Sequence, residues 1–146
     1  VALNIDEDHK TAKNIKARGA FTLSVADVPH IEAADFFGIA SGNKMADKFA
    51  RSGLHAVRSE KVDAPVVEEF PLTLECRVAE CQNTAYGFRV LGEIVGTLVE
   101  ESALDEKGRV DPVKLNAFVF DQFQNGYYAL GGKVGQAWST GAGLMK

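Results

Sequence analysis

From Leu72 onward the chain reads almost entirely as strands and turns, and this excludes most layered α/β architectures. Leu72-Thr73-Leu74-Glu75-Cys76-Arg77-Val78 alternates apolar and polar residues, the period of a strand with one buried face, here Leu72, Leu74, Cys76 and Val78. Phe88 to Val99 is the longest strand candidate, and Gly92 and Gly96 within it mark a bulge or a tight barrel bend. Asp105 to Arg109 reads as an exposed turn. Phe118 to Asp121 and Tyr127 to Leu130 flank Gln124-Asn125-Gly126, where Asn-Gly signals a hairpin. The glycine-rich stretch 131–143 is ambiguous. A doubly wound parallel sheet needs strand and helix to alternate throughout, so the expected class is a mainly β or α+β barrel with its helices in the first half.

That first half is punctuated clearly. Val1 to Asn4 is a short strand ended by the acidic turn Asp6-Glu7-Asp8. A helix opens at His9-Lys10-Thr11, with Thr11 as its cap, Ile15 as its apolar anchor, Lys13, Lys16 and Arg18 on its exposed side and Gly19 as its stop. Phe21 to Val25 alternates as a strand. Pro29 introduces an amphipathic helix over 30–37, broken at Ser41-Gly42-Asn43, and a second short helix carries Met45, Lys48 and Phe49 before Gly53. Ala64 to Val67 is extended.

The 146 residues, 46% hydrophobic and 25% charged with net charge −4, fit a single soluble domain over 1–146 with an adequate core. No apolar run approaches the roughly 20 residues of a membrane span, and no leader pattern opens the chain, so the expected location is cytoplasmic. Sixteen basic residues interspersed among twenty acidic ones do not make the one-sided charge of a nucleic-acid binder. The chain starts at Val1, without methionine, in the middle of an apparent strand; the expectation is that an N-terminal part is missing.

Most standard chemistries find no motif. Cys76 and Cys81 have neither the spacing nor the second pair of a zinc site and read as packed or incidental thiols. His9, His30 and His55 are scattered. There is no Gly-x-Ser-x-Gly turn and no glycine-rich phosphate loop of either common type. Two stretches stand out instead. The helix start at His9, Lys10, Thr11 and Lys13 offers unpaired N–H groups, a hydroxyl and positive charge, which suits a phosphate; an ordinary capped helix with a solvated basic face has the same pattern. Ser41-Gly42-Asn43-Lys44, with Lys48 beyond, allows close backbone approach to a ligand, and equally fits a helix corner with a glycine stop. Phe36, Phe37, Tyr127, Tyr128 and Trp138 could stack on a planar group.

The succession Asp8-His9-Lys10-Thr11-Ala12-Lys13-Asn14-Ile15, Ala20-Phe21-Thr22-Leu23-Ser24, Ala34 to Lys44 and Asp47-Lys48-Phe49 resembles the flavin reductase-like, FMN-binding split-barrel family. Ser59 to Pro65, Leu74-Glu75-Cys76, Leu91 to Val95 and Tyr128 to Gly131 follow in the order of its flavoredoxin-type members. The resemblance implies a mainly β split barrel with short helices that is N-terminally incomplete, because members carry further strands, with a small-polar turn and a tryptophan that touch the flavin, before the segment matching Val1. It implies a homodimer with FMN near the interface and NAD(P)H as electron donor, the electrons passing to free flavin or to a partner protein. The alternatives it leaves are a flavoredoxin-like carrier without NAD(P)H turnover and a cofactor-free dimeric binding barrel. By position it implies Lys10 and Thr11 as phosphate contacts, with His9 and Lys13 beside them, and Ser41, Gly42 and Lys44 in a loop closing over the cofactor. It demands no acid-base side chain, and the scattered histidines and the cysteine spacing give no reason to expect a metal. The acidic Ile5-Asp6-Glu7 before the phosphate turn is longer than the family's pattern, and its charges suit a phosphate only if they face away.

Overall fold

A computed structural model describes residues 1–145. Four strands form the main antiparallel sheet: β1 (Ala2–Ile5), β2 (Ala20–Val25), β5 (Leu72–Thr84) and β6 (Gly87–Val99), in the order β1-β6-β5-β2. Helix α1 (Lys10–Arg18) joins β1 to β2. Helices α2 (Ile31–Ile39) and α3 (Lys48–Arg51) follow, then the small pair β3 (Ala56–Arg58) and β4 (Pro65–Val67). The last pair, β7 (Phe118–Asp121) and β8 (Gly126–Ala129), is the hairpin that Asn125-Gly126 signals.

The β5–β6 hairpin, 13 residues in each strand, is the spine of the sheet. Its register slips twice. Glu75 pairs with Gly96 and Cys76 with Ile94, leaving Val95 as an extra residue; Val78 pairs with Gly92 and Glu80 with Leu91, leaving Ala79 as another. Each bulge bends the strand and increases its twist, so the sheet curls into part of a barrel. The two glycines of β6 lie beside these bulges, as their sequence positions imply, and close approach explains both. A Cβ on Gly92 would stand 2.6 Å from Phe21 Cζ, and one on Gly96 would stand 2.1 Å from Glu75 Oε2.

β5 departs from the sequence reading in two respects. It continues six residues past Val78, through a polar stretch with no alternation, because β6 supplies backbone partners as far as Thr84. Its first half is also covered on both faces: Thr73 and Glu75 are buried along with Cys76. The second cover is the chain after β3. Ser59 Oγ donates to Glu75 Oε1 at 2.6 Å and accepts the N–H groups of Lys61 and Val62, both at 3.0 Å. A buried carboxylate is tolerable only with such partners.

The core gathers Ala12 and Ile15 of α1 with Phe21, Cys76, Phe88 and Val90 of the sheet. A smaller cluster of Ala103, Leu115 and Ala117 packs against Val25, Leu72 and Val99. Cys76 is a packed thiol, its pKa pushed up by burial, and Cys81 is exposed; both are free. No helix among the described residues is long and apolar enough to cross a membrane.

Candidate functional site

α1 is capped two residues before the Thr11 that the sequence suggests. His9 occupies the cap position with extended backbone, and no side chain caps the helix; Thr11 stands within its first turn. The first helical hydrogen bond runs from Lys13 N to His9 O at 3.3 Å, so the N–H groups of Lys10, Thr11 and Ala12 precede it and have no helical acceptor. They carry the positive end of the helix dipole. α1 has no acidic residue in its first turn and carries Lys10, Lys13, Lys16 and Arg18.

The loop after α2 comes against this helix start. A Cβ on Gly42 would lie 3.2 Å from Lys10 Cβ, so the loop backbone packs directly on the lysine stem. Asn43 fastens the contact: its Nδ2 donates to Asp8 O at 2.8 Å and its Oδ1 accepts from Lys13 Nζ at 3.1 Å. The two stretches that stand out separately in the sequence therefore border one cleft of about 870 Å3. His9, Lys10, Thr11 and Asn14 form one wall, Phe37 to Gly42 with Met45, Lys48 and Phe49 another, and Thr22, Ser24, Pro65 and Phe70 complete it.

Of the residues singled out from sequence, His9, Lys10, Thr11, Ser41 and Gly42 line this cleft. Lys13 is tied to Asn43 instead, and Lys44 is not among the lining residues. Lys48 lines it in a different role from the added positive charge its sequence position suggests. Its Nζ donates to Phe37 O at 2.7 Å and to Ala40 O at 2.6 Å, capping the end of α2, and burial holds its pKa below the ordinary lysine value. Its ammonium is also 5.6 Å from the centre of the Phe37 ring, which stacks on Phe49 at 6.0 Å and 8°. Phe37 is the one aromatic candidate on the cleft; Phe36 borders a different depression, Tyr127 and Tyr128 belong to the β7–β8 hairpin, and Trp138 is 98% exposed.

The acidic turn before α1 is turned to other partners. Asp6 faces His9 at 3.6 Å, and Glu7 accepts from Lys16 at 3.3 Å and from Asn83. Neither lines the cleft. The histidines pair singly, His30 with Asp27 at 2.5 Å and His55 with Glu69 at 2.6 Å, and no group of three potential metal ligands occurs among the described residues. Asn14, Thr22 and Ser24 also line the cleft and nothing in the sequence marks them for it, since a lone small polar residue carries no periodic signal.

A curled antiparallel sheet with a cation-rimmed cleft along its β2 edge defines a split-barrel protein of the flavin reductase-like type. The chain belongs to the flavin reductase like domain family, whose pattern matches residues 1–124. Among solved structures it is similar to the flavoredoxin of Desulfovibrio vulgaris (Miyazaki F), at 36% identity and a TM-score of 0.88 over 96% of this chain and 74% of that one. It is also similar to a putative flavin reductase with a split barrel domain from Shewanella frigidimarina, at 26% identity and a TM-score of 0.78 over 92% and 68% of the two chains. An uncharacterized protein of Deinococcus radiodurans is 31% identical over 113 residues, 73% of this chain. The chain spans about half the length of that curated relative, 47%.

Proposed function

We propose that the cleft holds FMN and that the protein is an NAD(P)H:flavin oxidoreductase, moving electrons from a nicotinamide to flavin or to a protein acceptor. The observation that carries this reading is the convergence of Lys10 and Thr11, whose N–H groups have no helical acceptor, with the Ser41-Gly42 loop on one cleft. Its volume of about 870 Å3 lies within the usual range for cofactor sites. A phosphate fits at the helix start, where the hydroxyl of Thr11, the ammonium of Lys10 and the helix dipole all favour an anion. Asp6 faces His9 and Glu7 faces Lys16, and neither carboxylate lines the cleft to oppose it.

Bound FMN supplies the redox chemistry, accepting a hydride and passing electrons on. The chain's own part is to hold and orient. Lys10 and Thr11 anchor the phosphate end, Phe37 and Pro65 bring apolar surface, and the loop fixed by Asn43 and Lys48 sets how closely backbone approaches. His9 stands at the rim, and Lys13 and Lys44 act through the field and the loop. No side chain is asked to move a proton.

Purified protein titrated with FMN should acquire bound-flavin absorption at micromolar concentration, and should then oxidise NADH or NADPH with free FMN as acceptor. Absence of FMN binding would sink the reading. Binding without turnover would instead make the protein an electron carrier, the second reading, which the 36% identity to a flavoredoxin favours.

The same reading makes the protein a homodimer. The β7–β8 pair is a two-stranded hairpin, a unit marginal by itself in water, and it leaves Val119, Phe120 and Tyr128 half exposed. Light scattering should return twice the 15.7 kDa chain mass; a monomer would refute the assembly.

A further inference from the structure

Lys48 differs from the other cations of the chain. Among the described lysines and arginines it alone is half-buried, and every other one is exposed. It also lacks a counter-ion. Lys48 forms no ion pair among the described residues, and no aspartate or glutamate lines the cleft to which it belongs. Its two hydrogen bonds run to neutral acceptors, the carbonyls of Phe37 and Ala40. An ammonium has three donors, so the cap of α2 leaves one N–H and the whole of the charge at the cleft wall. The Phe37 ring, itself stacked on Phe49, covers it on one side. Carbonyl dipoles and a ring face offset only part of the cost of taking an ammonium out of water; a negative charge in the cleft would offset more.

The other cations of the lining, Lys10 and His9, belong to the start of α1, where a phosphate fits. Phosphate charge is the same whether a flavin is oxidised or reduced. Lys48 lies on the other wall, beyond the Ser41-Gly42 loop, and is placed to meet charge elsewhere on the ligand. The flavin ring is neutral when oxidised. On taking a hydride, two electrons and one proton, from a dihydronicotinamide it gains one negative charge, and the nicotinamide departs with one positive charge. We propose that the cleft holds reduced FMN more tightly than oxidised FMN, and that the Lys48 ammonium is the group that makes the difference. The inference rests on the flavin reading of this cleft and adds a direction to it: a flavin gripped harder once reduced stays on the protein and hands its electrons on from there.

FMN affinity is measured with oxidised flavin in air and with dithionite-reduced flavin under anaerobic conditions above neutral pH. The proteins are wild type, Lys48→Gln, whose neutral amide can still donate to carbonyls, Lys48→Met, Lys48→Arg and Lys10→Ala. Wild type should bind reduced FMN about tenfold more tightly, the scale of one charge pair several ångströms apart in a partly hydrated site. For a two-electron couple that ratio places the bound flavin about 30 mV above free FMN. Lys48→Gln and Lys48→Met should bring the ratio close to one and lower the potential by the same amount, while Lys48→Arg keeps most of it. Lys10→Ala should weaken both forms alike. A cap that is only structural would, when removed, weaken oxidised and reduced FMN equally and leave the potential where it was; that result overturns the proposal. So does a wild-type ratio of one or less, which is read without any variant and holds even if the Lys48 variants fail to fold. A wild-type protein that binds no oxidised FMN overturns the flavin reading itself, and that failure appears in the first titration.

Discussion

Phe88→Ala should lower the free energy of unfolding by about 3–5 kcal/mol, the range for truncating a fully buried aromatic side chain. Phe88 is 1% exposed, pairs with Ile5 across one strand gap and Asn83 across the other, and belongs to the cluster that includes Ala12 and Ile15 of α1. The ammonium of Lys16 stands 4.6 Å above its ring, so the residue supports α1 by packing and through its face. The cost combines the transfer of the ring to water with a cavity that rigid strands on both sides cannot close. Denaturant unfolding measures it directly, and a loss under about 1 kcal/mol would show that α1 does not depend on this contact for its seat.

Lys10→Ala and Thr11→Ala should each weaken FMN binding by about 1–3 kcal/mol, or five- to 150-fold, the value of a hydrogen bond to a charged group. Both positions are exposed, and neither side chain has a hydrogen bond among the described residues, so the melting temperature should barely move. Lys10 has the additional task of backing Gly42, and its truncation loosens the loop as well as removing a charge. The Lys10 contribution should fall as salt rises, since an exposed charge is screened over about 10 Å at 0.1 M, whereas the Thr11 contribution should change less. Fluorescence titration of the two variants at two ionic strengths separates these effects. Unchanged affinity in both would place the phosphate elsewhere.

What the chain declares about its fold follows from where periodicity survives. β2, β6 and the β7–β8 hairpin are legible because alternation or an Asn-Gly turn marks them. The second half of β5 is not, since both of its faces meet solvent and no apolar phase is imposed, and β3 is three residues of an exposed edge. Thr11 reads as a cap because capping is a local statistic; the helix starts earlier because the turn ending in His9 N to Asp6 O, 3.1 Å, aims the chain into it. For the cleft, each patch is visible by its composition, but the contact of Gly42 with Lys10 is a matter of tertiary folding. Lys48 shows the limit most clearly. A lysine near a ligand loop looks like an unengaged side chain, and only the carbonyls of Phe37 and Ala40 reveal that two of its protons are already in use.

Gly96 is remote in sequence from the cleft, yet one wall of the cleft depends on it. Its missing side chain leaves the space that Glu75 occupies; Glu75 in turn receives Ser59, and Ser59 anchors the turn leading to Asp63, Ala64 and Pro65. Pro65 completes the wall with Thr22 and Ser24. Position 96, Glu75 and Ser59 can therefore drift only as a set, and a change at any one of them would first be felt as a displaced wall where ligand is held. The size limit on one backbone position in the middle of the sheet is thereby inherited by the specificity of its edge.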